Sequence, residues 1–312
     1  MNEKIVLTVC TAAYLAQAKI LGDTLVKYNP GYKLIIGLVD KLEGKIDSDY
    51  WEPHEVIEVH ELNIPQFKKM YMQYTTLELV CAVKSFYTDH LFKLYNPAQV
   101  IFLDSDIMIF DSLAYLESEL NNFSILLTAH ITRPFPNDGR KPVEKTILKT
   151  GMFNAGFYAV RNDENGKSFI NWWKERMVDQ CYERPKEGLN ADQKWLNFLP
   201  LYFKKVKILD HPGCNLAYWN FHERTIVKKQ EKFFANDQPV IFFHYSGYSL
   251  SYPDLISRHQ DRFDMKANDA VNELYNLCRQ NLVQNRHEDF LKIPCYYQKS
   301  SGGLLEKLGL KK

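Results

Sequence analysis

The sequence predicts an α/β fold in which helices flank a central sheet, and three observations predict it. Short apolar runs of strand length alternate with longer segments whose apolar residues recur every three or four positions. Turn-forming clusters separate them, and 46% of the 312 residues are hydrophobic, enough for a substantial core. Ile5 to Val9 is the first apolar run, Leu15 through Tyr28 the first helical pattern, and Asn29-Pro30-Gly31 stops it. Lys33 to Val39 reads as a second strand ending at Asp40, and Val56 to Val59 as a third before Asn63-Ile64-Pro65. This is the spacing of βαβ units, whose crossover helices pair strands in parallel. From Thr75 to Tyr95 the residues Leu79, Ala82, Val83, Phe86, Leu91 and Leu94 fall at helical intervals, and Asn96-Pro97 ends the helix.

The second half is more mixed. Ile125 to Ala129, Phe153 to Val160 and Val240 to Phe243 read as strands. Gly166 to Cys181, Ala191 to Phe198 and Asn268 to Gln284 read as helices, the last with Ala270, Leu274, Leu277 and Cys278 on one face. Arg133 to Val143, with two prolines and an Asp-Gly step, reads as a mobile loop over a site. No repeat or low-complexity linker divides the chain. The expected organisation is one continuous unit over 1–265, with halves 1–110 and 111–265, followed by a helical extension and tail over 266–312.

A net charge of +1 excludes nucleic-acid binding through bulk electrostatics. The N-terminus turns polar too soon for a signal peptide and no apolar run approaches a membrane span, so a cytoplasmic protein is expected. The cysteines Cys10, Cys81, Cys181, Cys214, Cys278 and Cys295 show no CxxC spacing and read as reduced, packed thiols.

Chemistry concentrates in Val100-Ile101-Phe102-Leu103-Asp104-Ser105-Asp106-Ile107-Met108-Ile109-Phe110, where two carboxylates interrupt an apolar, β-prone run. Ionised carboxylates there are expensive to desolvate unless a cation compensates, and a divalent ion with oxygen ligands is the usual one. On a regular strand Asp104 and Asp106 share a face, whereas a turn at Ser105 would fan them around one ion that clamps a diphosphate. Ligands of open α/β sheets collect beyond the strands' carboxyl ends, where Thr8, Cys10, Thr11, Tyr14, Asp40 and the acidic pair converge into a nucleotide pocket. Backbone groups there could read a base edge, and Tyr14 either stacks on the base or belongs to the core. Lys84, on an apolar helical segment, is either a cation for phosphate or sugar oxygens or a snorkelling surface lysine. Asn154 and Gly156 suit hydrogen bonding and close approach of a sugar, or mark a β-bulge. His211 to Arg224 is dense in aromatic and polar groups and is a candidate sugar or acceptor wall. Arg258 and His259 are weaker phosphate candidates.

The order of an N-terminal nucleotide-binding βαβ, Leu103-Asp104-Ser105-Asp106, Asn154-Ala155-Gly156, Leu189-Asn190-Ala191-Asp192-Gln193 and His244-Tyr245-Ser246-Gly247 resembles the GT-A glycosyltransferases. Within them it is most similar to glycosyltransferase family 8, the glycogenin and bacterial lipopolysaccharide galactosyltransferase group. The resemblance spans about residues 1 to 260. One departure is that Tyr248-Ser249-Leu250-Ser251-Tyr252-Pro253 follows the histidine segment, where that group commonly continues into Lys-Pro-Trp.

The resemblance implies a mixed GT-A sheet and a metal-dependent transfer of a hexose-type sugar from a nucleoside diphosphate, most simply a UDP-sugar. The acceptor would be a glycan, a lipid-linked glycan or a protein. Asp104, Asp106 and His244 would bind Mn²⁺ or Mg²⁺, and an imidazole ligand fits Mn²⁺ better. Asp192 would hold donor-sugar hydroxyls and Gln193 would lie near the anomeric carbon, with Lys84 assisting, while Ser105 and Gly247 would join the donor contacts. If stereochemistry is retained, glutamine is a poor nucleophile, and same-face attack with the leaving phosphate taking the acceptor's proton is the economical route. A sugar-1-phosphate nucleotidyltransferase would want a glycine-rich loop after its first strand, and Val9 to Tyr14 has no glycine. A non-catalytic carbohydrate-binding protein would not need the carboxylates. Leu304 to Lys312 could form a basic amphipathic helix touching a membrane, or a frayed tail.

Overall fold

The computed structural model describes residues 3–298 apart from Glu43 and Lys45, so the expected Leu304 to Lys312 tail lies outside the described residues. The chain begins with β1 (Lys4–Cys10), α1 (Leu15–Tyr28), β2 (Tyr32–Leu38) and β3 (Glu55–Glu58). It continues through α2 (Phe67–Gln73) and α3 (Thr76–Leu94) to β4 (Gln99–Leu103) and β5 (Ile107–Ile109). Then come α4 (Ala114–Asn122), β6 (Ile125–Ala129), α5 (Glu144–Thr150), β7 (Phe153–Arg161) and α6 (Glu164–Met177). Short α7 (Leu199–Tyr202) leads to β8 (Val206–Leu209), β9 (Ile226–Lys229), β10 (Lys232–Ala235), β11 (Gln238–Pro239) and β12 (Phe242–His244). Helices α8 (Asp269–Gln284) and α9 (His287–Phe290) follow.

The central seven-stranded sheet runs β3-β2-β1-β4-β7-β6-β8. Its first four strands are mutually parallel, as the βαβ spacing predicts, but β7 runs antiparallel to both β4 and β6, so the sheet is mixed. Alternation along the strands sends successive side chains to opposite faces. Leu7, Phe102, Tyr158, Tyr87 and Trp173 pack under α3 and α6, while Val6, Ile101, Phe157, Leu21 and Leu116 pack under α1 and α4. Phe102 and Tyr158 are register partners whose rings stack at 4.8 Å.

Local chemistry sets the helix ends. Thr75 and Glu78 form a reciprocal capping box at α3, the Thr75 hydroxyl accepting from the Glu78 N–H at 3.2 Å and the Glu78 carboxylate from the Thr75 N–H at 2.8 Å. Asn268 caps α8 by accepting from the Val271 N–H at 3.1 Å.

Several expectations need correction. Of the two readings of the 100–110 run, the turn at Ser105 is the one found: the run is two strands, because the chain turns at Asp104–Asp106 and β5 pairs with β12 in a separate two-stranded sheet. Residues Gln193–Phe198 form a 3₁₀ helix where an α-helix was expected from Ala191. The 133–143 loop is not free over a site. Glu223 accepts from the N–H groups of Thr132 and Arg133, and the buried Arg262 guanidinium bonds Asp138, Arg140 O at 2.8 Å and Pro142 O at 2.9 Å. Cys10, Cys81, Cys181, Cys214 and Cys278 are free thiols, as expected.

Candidate metal and sugar-nucleotide site

The β4–β5 turn holds its two carboxylates through the main chain. The Asp104 N–H donates to Gly156 O on β7 at 2.8 Å, and Asp106 O accepts from the Tyr245 N–H just past β12 at 2.9 Å. Antiparallel register sets His244 opposite Ile107, one residue beyond Asp106. Asp104, Asp106 and His244 each offer a ligand atom, and these atoms lie within 4.8 Å of one another, with His244 Nε2 3.0 Å from Asp106 Oδ1. Two carboxylate oxygens and an imidazole nitrogen suit a divalent first-row cation such as Mn²⁺. Burial opposes the charge on both His244 and Asp106, but their mutual attraction prevails, raising the histidine pKa and lowering the aspartate's.

A shell of amides, of which the sequence singled out Asn154 but not Asn215, orients these groups. His244 Nδ1 donates to Asn215 Oδ1 at 3.1 Å, which leaves Nε2 facing the carboxylates. The Asn215 amide donates to Thr128 Oγ1 at 2.8 Å and to Asn154 Oδ1 at 3.0 Å. The Trp219 ring stands edge-on to both His244 and His130, with centroids 5.1 and 5.2 Å apart. Gly156 is there for space: a Cβ would sit 2.4 Å from His244 Cε1 and 2.9 Å from Asp104 Oδ2.

Lys84 is buried and not a snorkelling surface lysine. Its ammonium lies 3.0 Å from Asp104 and 3.3 Å from Asp192, and donates to Ala155 O at 3.3 Å. Burial disfavours the charge, but the two carboxylates outweigh it and hold the pKa well above the usual lysine range. Burial drives the Asp192 pKa upward against the pull of Lys84. Gln193 is locked as well: its side-chain oxygen accepts from the Ala155 N–H at 3.1 Å and the Asn154 amide at 3.2 Å, and its nitrogen donates to Thr150 O at 3.1 Å. Asp104, Asp106, Asn154, Gly156, Asp192, Gln193, Lys84 and His244 thus form one connected constellation.

The outer members are placed less uniformly. Thr8, Cys10 and Thr11 are buried towards the end of β1, and the Thr8 hydroxyl has no hydrogen-bond partner among the described residues. Burial pushes the Cys10 thiol pKa up. Tyr14 is exposed and meets the His287 ring, so it is not core. Asp40 does not offer an open carboxylate. It is fully buried and accepts from the N–H groups of Ala12, Lys41 and Tyr296 at 3.3, 2.9 and 2.9 Å. Ser105 lies in the acidic turn, and Gly247, at φ +73°, backs onto Ser257 and His259.

Solved structures share this architecture. The galactosyltransferase LgtC, determined with donor and acceptor sugar analogues, aligns over 93% of this chain and 97% of its own at a TM-score of 0.53 and 14% identity. The chain has the GT-A fold. The bifunctional glycosyltransferase WbbM aligns at a TM-score of 0.53 and 12% identity, over 96% of this chain and 52% of its own. GlyE of Streptococcus pneumoniae TIGR4, a glycosyltransferase, gives 0.50 and 16% over 92% of this chain and 64% of its own. In sequence, the chain is 27% identical over 195 residues to the uncharacterized protein YfnF of Bacillus subtilis (strain 168), and 25% identical over 206 residues to YfnD of the same strain, also uncharacterized. These matches cover 61% and 64% of this chain and 63% of either relative's length. No family model matches. Among the described residues, no helix is long and apolar enough to cross a membrane.

Proposed function

We propose that the protein is a metal-dependent glycosyltransferase that moves a hexose-type sugar from a UDP-sugar to a hydroxyl of a glycan, lipid-linked or protein acceptor, with retention. The observation that carries this reading is the convergence of Asp104, Asp106 and His244 within 4.8 Å where β4 of a GT-A sheet ends. The names of LgtC, GlyE and WbbM, all glycosyltransferases, support the reaction class. Asp104, Asp106 and His244 would hold the cation, which when bound neutralises the charge growing on the departing diphosphate. Thr8, Cys10, Thr11, Tyr14 and Ser105 would line the nucleotide, with Asp40 acting behind them as the acceptor of the Ala12 N–H. Asn154, Gly156, Gly247 and Asp192 would bound the donor.

Lys84 holds Asp104 and Asp192 in fixed relation, so that the metal turn and the sugar-binding turn act as one rigid unit. Gln193 spends its amide oxygen on two N–H donors, which fits a positioning role beside the anomeric carbon better than a nucleophilic one. No covalent intermediate is needed: the acceptor oxygen approaches on the face the phosphate leaves, and that phosphate takes its proton. The test is UDP-sugar hydrolysis with Mn²⁺, followed by transfer. Asp106→Ala is expected to lose on the order of 3 kcal/mol of transition-state stabilisation, about a hundredfold in rate. Turnover near wild type in that variant, or an inverted product anomer by NMR, would overturn the assignment it addresses.

A further inference from the structure

Beside Gln193 the surface changes character. The end of helix α5 and the residue pair after it, within 145–152, meet Gln193 and the 194–205 segment that follows it: Thr150 O accepts from Gln193 at 3.1 Å, and the Met152 N–H donates to Asn197 Oδ1 at 2.9 Å. These two segments carry Lys145, Lys149, Lys194, Lys204 and Lys205 and no acidic residue. Among the described residues none of these lysines has a carboxylate within 4.0 Å, a state they share with Lys27, Lys68 and Lys167 elsewhere, so it is their clustering that sets this face apart. The adjoining acid, Glu144, is turned back onto the Phe135 N–H at 2.7 Å.

Between these lysines lie large apolar side chains that the fold leaves in solvent: Leu148 is 68% exposed, Met152 50%, Phe198 39%, Leu201 78% and Tyr202 57%. Phe198 and Tyr202 stack at 5.1 Å, and Trp172 stands edge-on to Tyr202 and Trp195, so the aromatic edge is rigid. Exposed apolar residues this dense are costly in water and mark a docking surface. Protein–protein interfaces are depleted in lysine, which argues against a protein partner here. Lysines around leucine, methionine and interfacial aromatics, with the acidic Asp163 and Glu164 entering only at the Lys204–Lys205 end through Ser124 and Asn165, match the surface of an anionic bilayer.

We propose that this face docks on an anionic membrane surface and presents the Gln193 side of the site to an acceptor carried on a lipid. The docking stands on the surface alone, and only the acceptor's lipid carrier rests on the glycosyltransferase reading. Co-sedimentation of the full chain with phosphatidylglycerol–phosphatidylcholine vesicles, against phosphatidylcholine alone, tests it. The wild-type chain is expected to partition onto the anionic vesicles and to be released as salt rises from about 0.1 to about 1 M, where the Debye length shrinks from about 10 to about 3 Å. At about fivefold per lysine, K149E/K205E should weaken partitioning at least about 25-fold. L148Q/L201Q should weaken it at low salt too, and UDP-sugar hydrolysis and circular dichroism should be unchanged in both variants. Equal sedimentation with neutral vesicles, or either double variant partitioning like wild type, overturns the docking face. Loss of hydrolysis by the wild type with vesicle binding intact would instead sink the glycosyltransferase reading.

Discussion

Asn215 carries no charge, yet its one side chain joins His244, Thr128 and Asn154, and so ties the histidine beside the acidic turn to the strand that carries Asn154 and Gly156. Removing it frees the imidazole to rotate away from Asp106. Asn215→Ala is expected to weaken Mn²⁺ binding about ten- to hundredfold in calorimetric titration, and an unchanged affinity would show that ring packing against Trp219 suffices to aim the histidine. The acidic pair was legible because charge inside an apolar run has few structural uses. Asn215, Trp219 and His130 were not, since a lone amide or ring in an irregular stretch has no periodicity to betray it. The one available signal was that His211 to Arg224 is crowded with such groups. Lys84 was visible as a cation on an apolar helical segment, but which carboxylates it met depended on chain 20 and 108 residues away, at Asp104 and Asp192.

At the scale of elements, β1, α1, β2, β3, α3 and α8 fall within a residue or two of the sequence expectations, because each carries its period and its stop signal locally. The 133–143 segment is the loop expected but not a free one, because proline and glycine announce a loop without saying what grips it. Arg262 grips it from 120 residues away, bonding Pro142 O and Arg140 O while its guanidinium lies 5.2 Å from the Phe135 ring centroid. Arg262→Met should strand those carbonyls and cost about 2–4 kcal/mol of stability. Limited trypsinolysis should then cut after Arg140 sooner than in wild type, and an unchanged cleavage rate would mean that Glu223 alone immobilises the loop.

For the whole molecule, the C-terminal stretch acts as a strap. Tyr50 packs tilted against Phe290 with ring centroids 4.6 Å apart, the Tyr296 N–H reaches Asp40, and α9 buries His287 against the start of the chain. Burial lowers the His287 pKa from 6.5 to about 4. Between those values the unfolded chain takes up a proton that the folded one refuses, so this contribution is complete above pH 6.5 and is lost as pH falls toward 4. The loss is on the order of 3 kcal/mol by about pH 4. In urea titrations at about pH 7 and about pH 4, His287→Phe should therefore lose less stability than wild type; parallel losses would show that His287 does not titrate in this window. By itself the sequence determined the α/β class, the order of the early elements and the identity of the acidic turn, because hydrophobic period, turn residues and misplaced charge are properties of neighbouring residues. Only the tertiary structure decided that β7 runs against its neighbours, that β12 delivers His244 to Asp106, and that Asp40 is spent on the strap. Those outcomes depend on which distant surfaces bury one another, and that free energy is shared between segments with no signature in either alone.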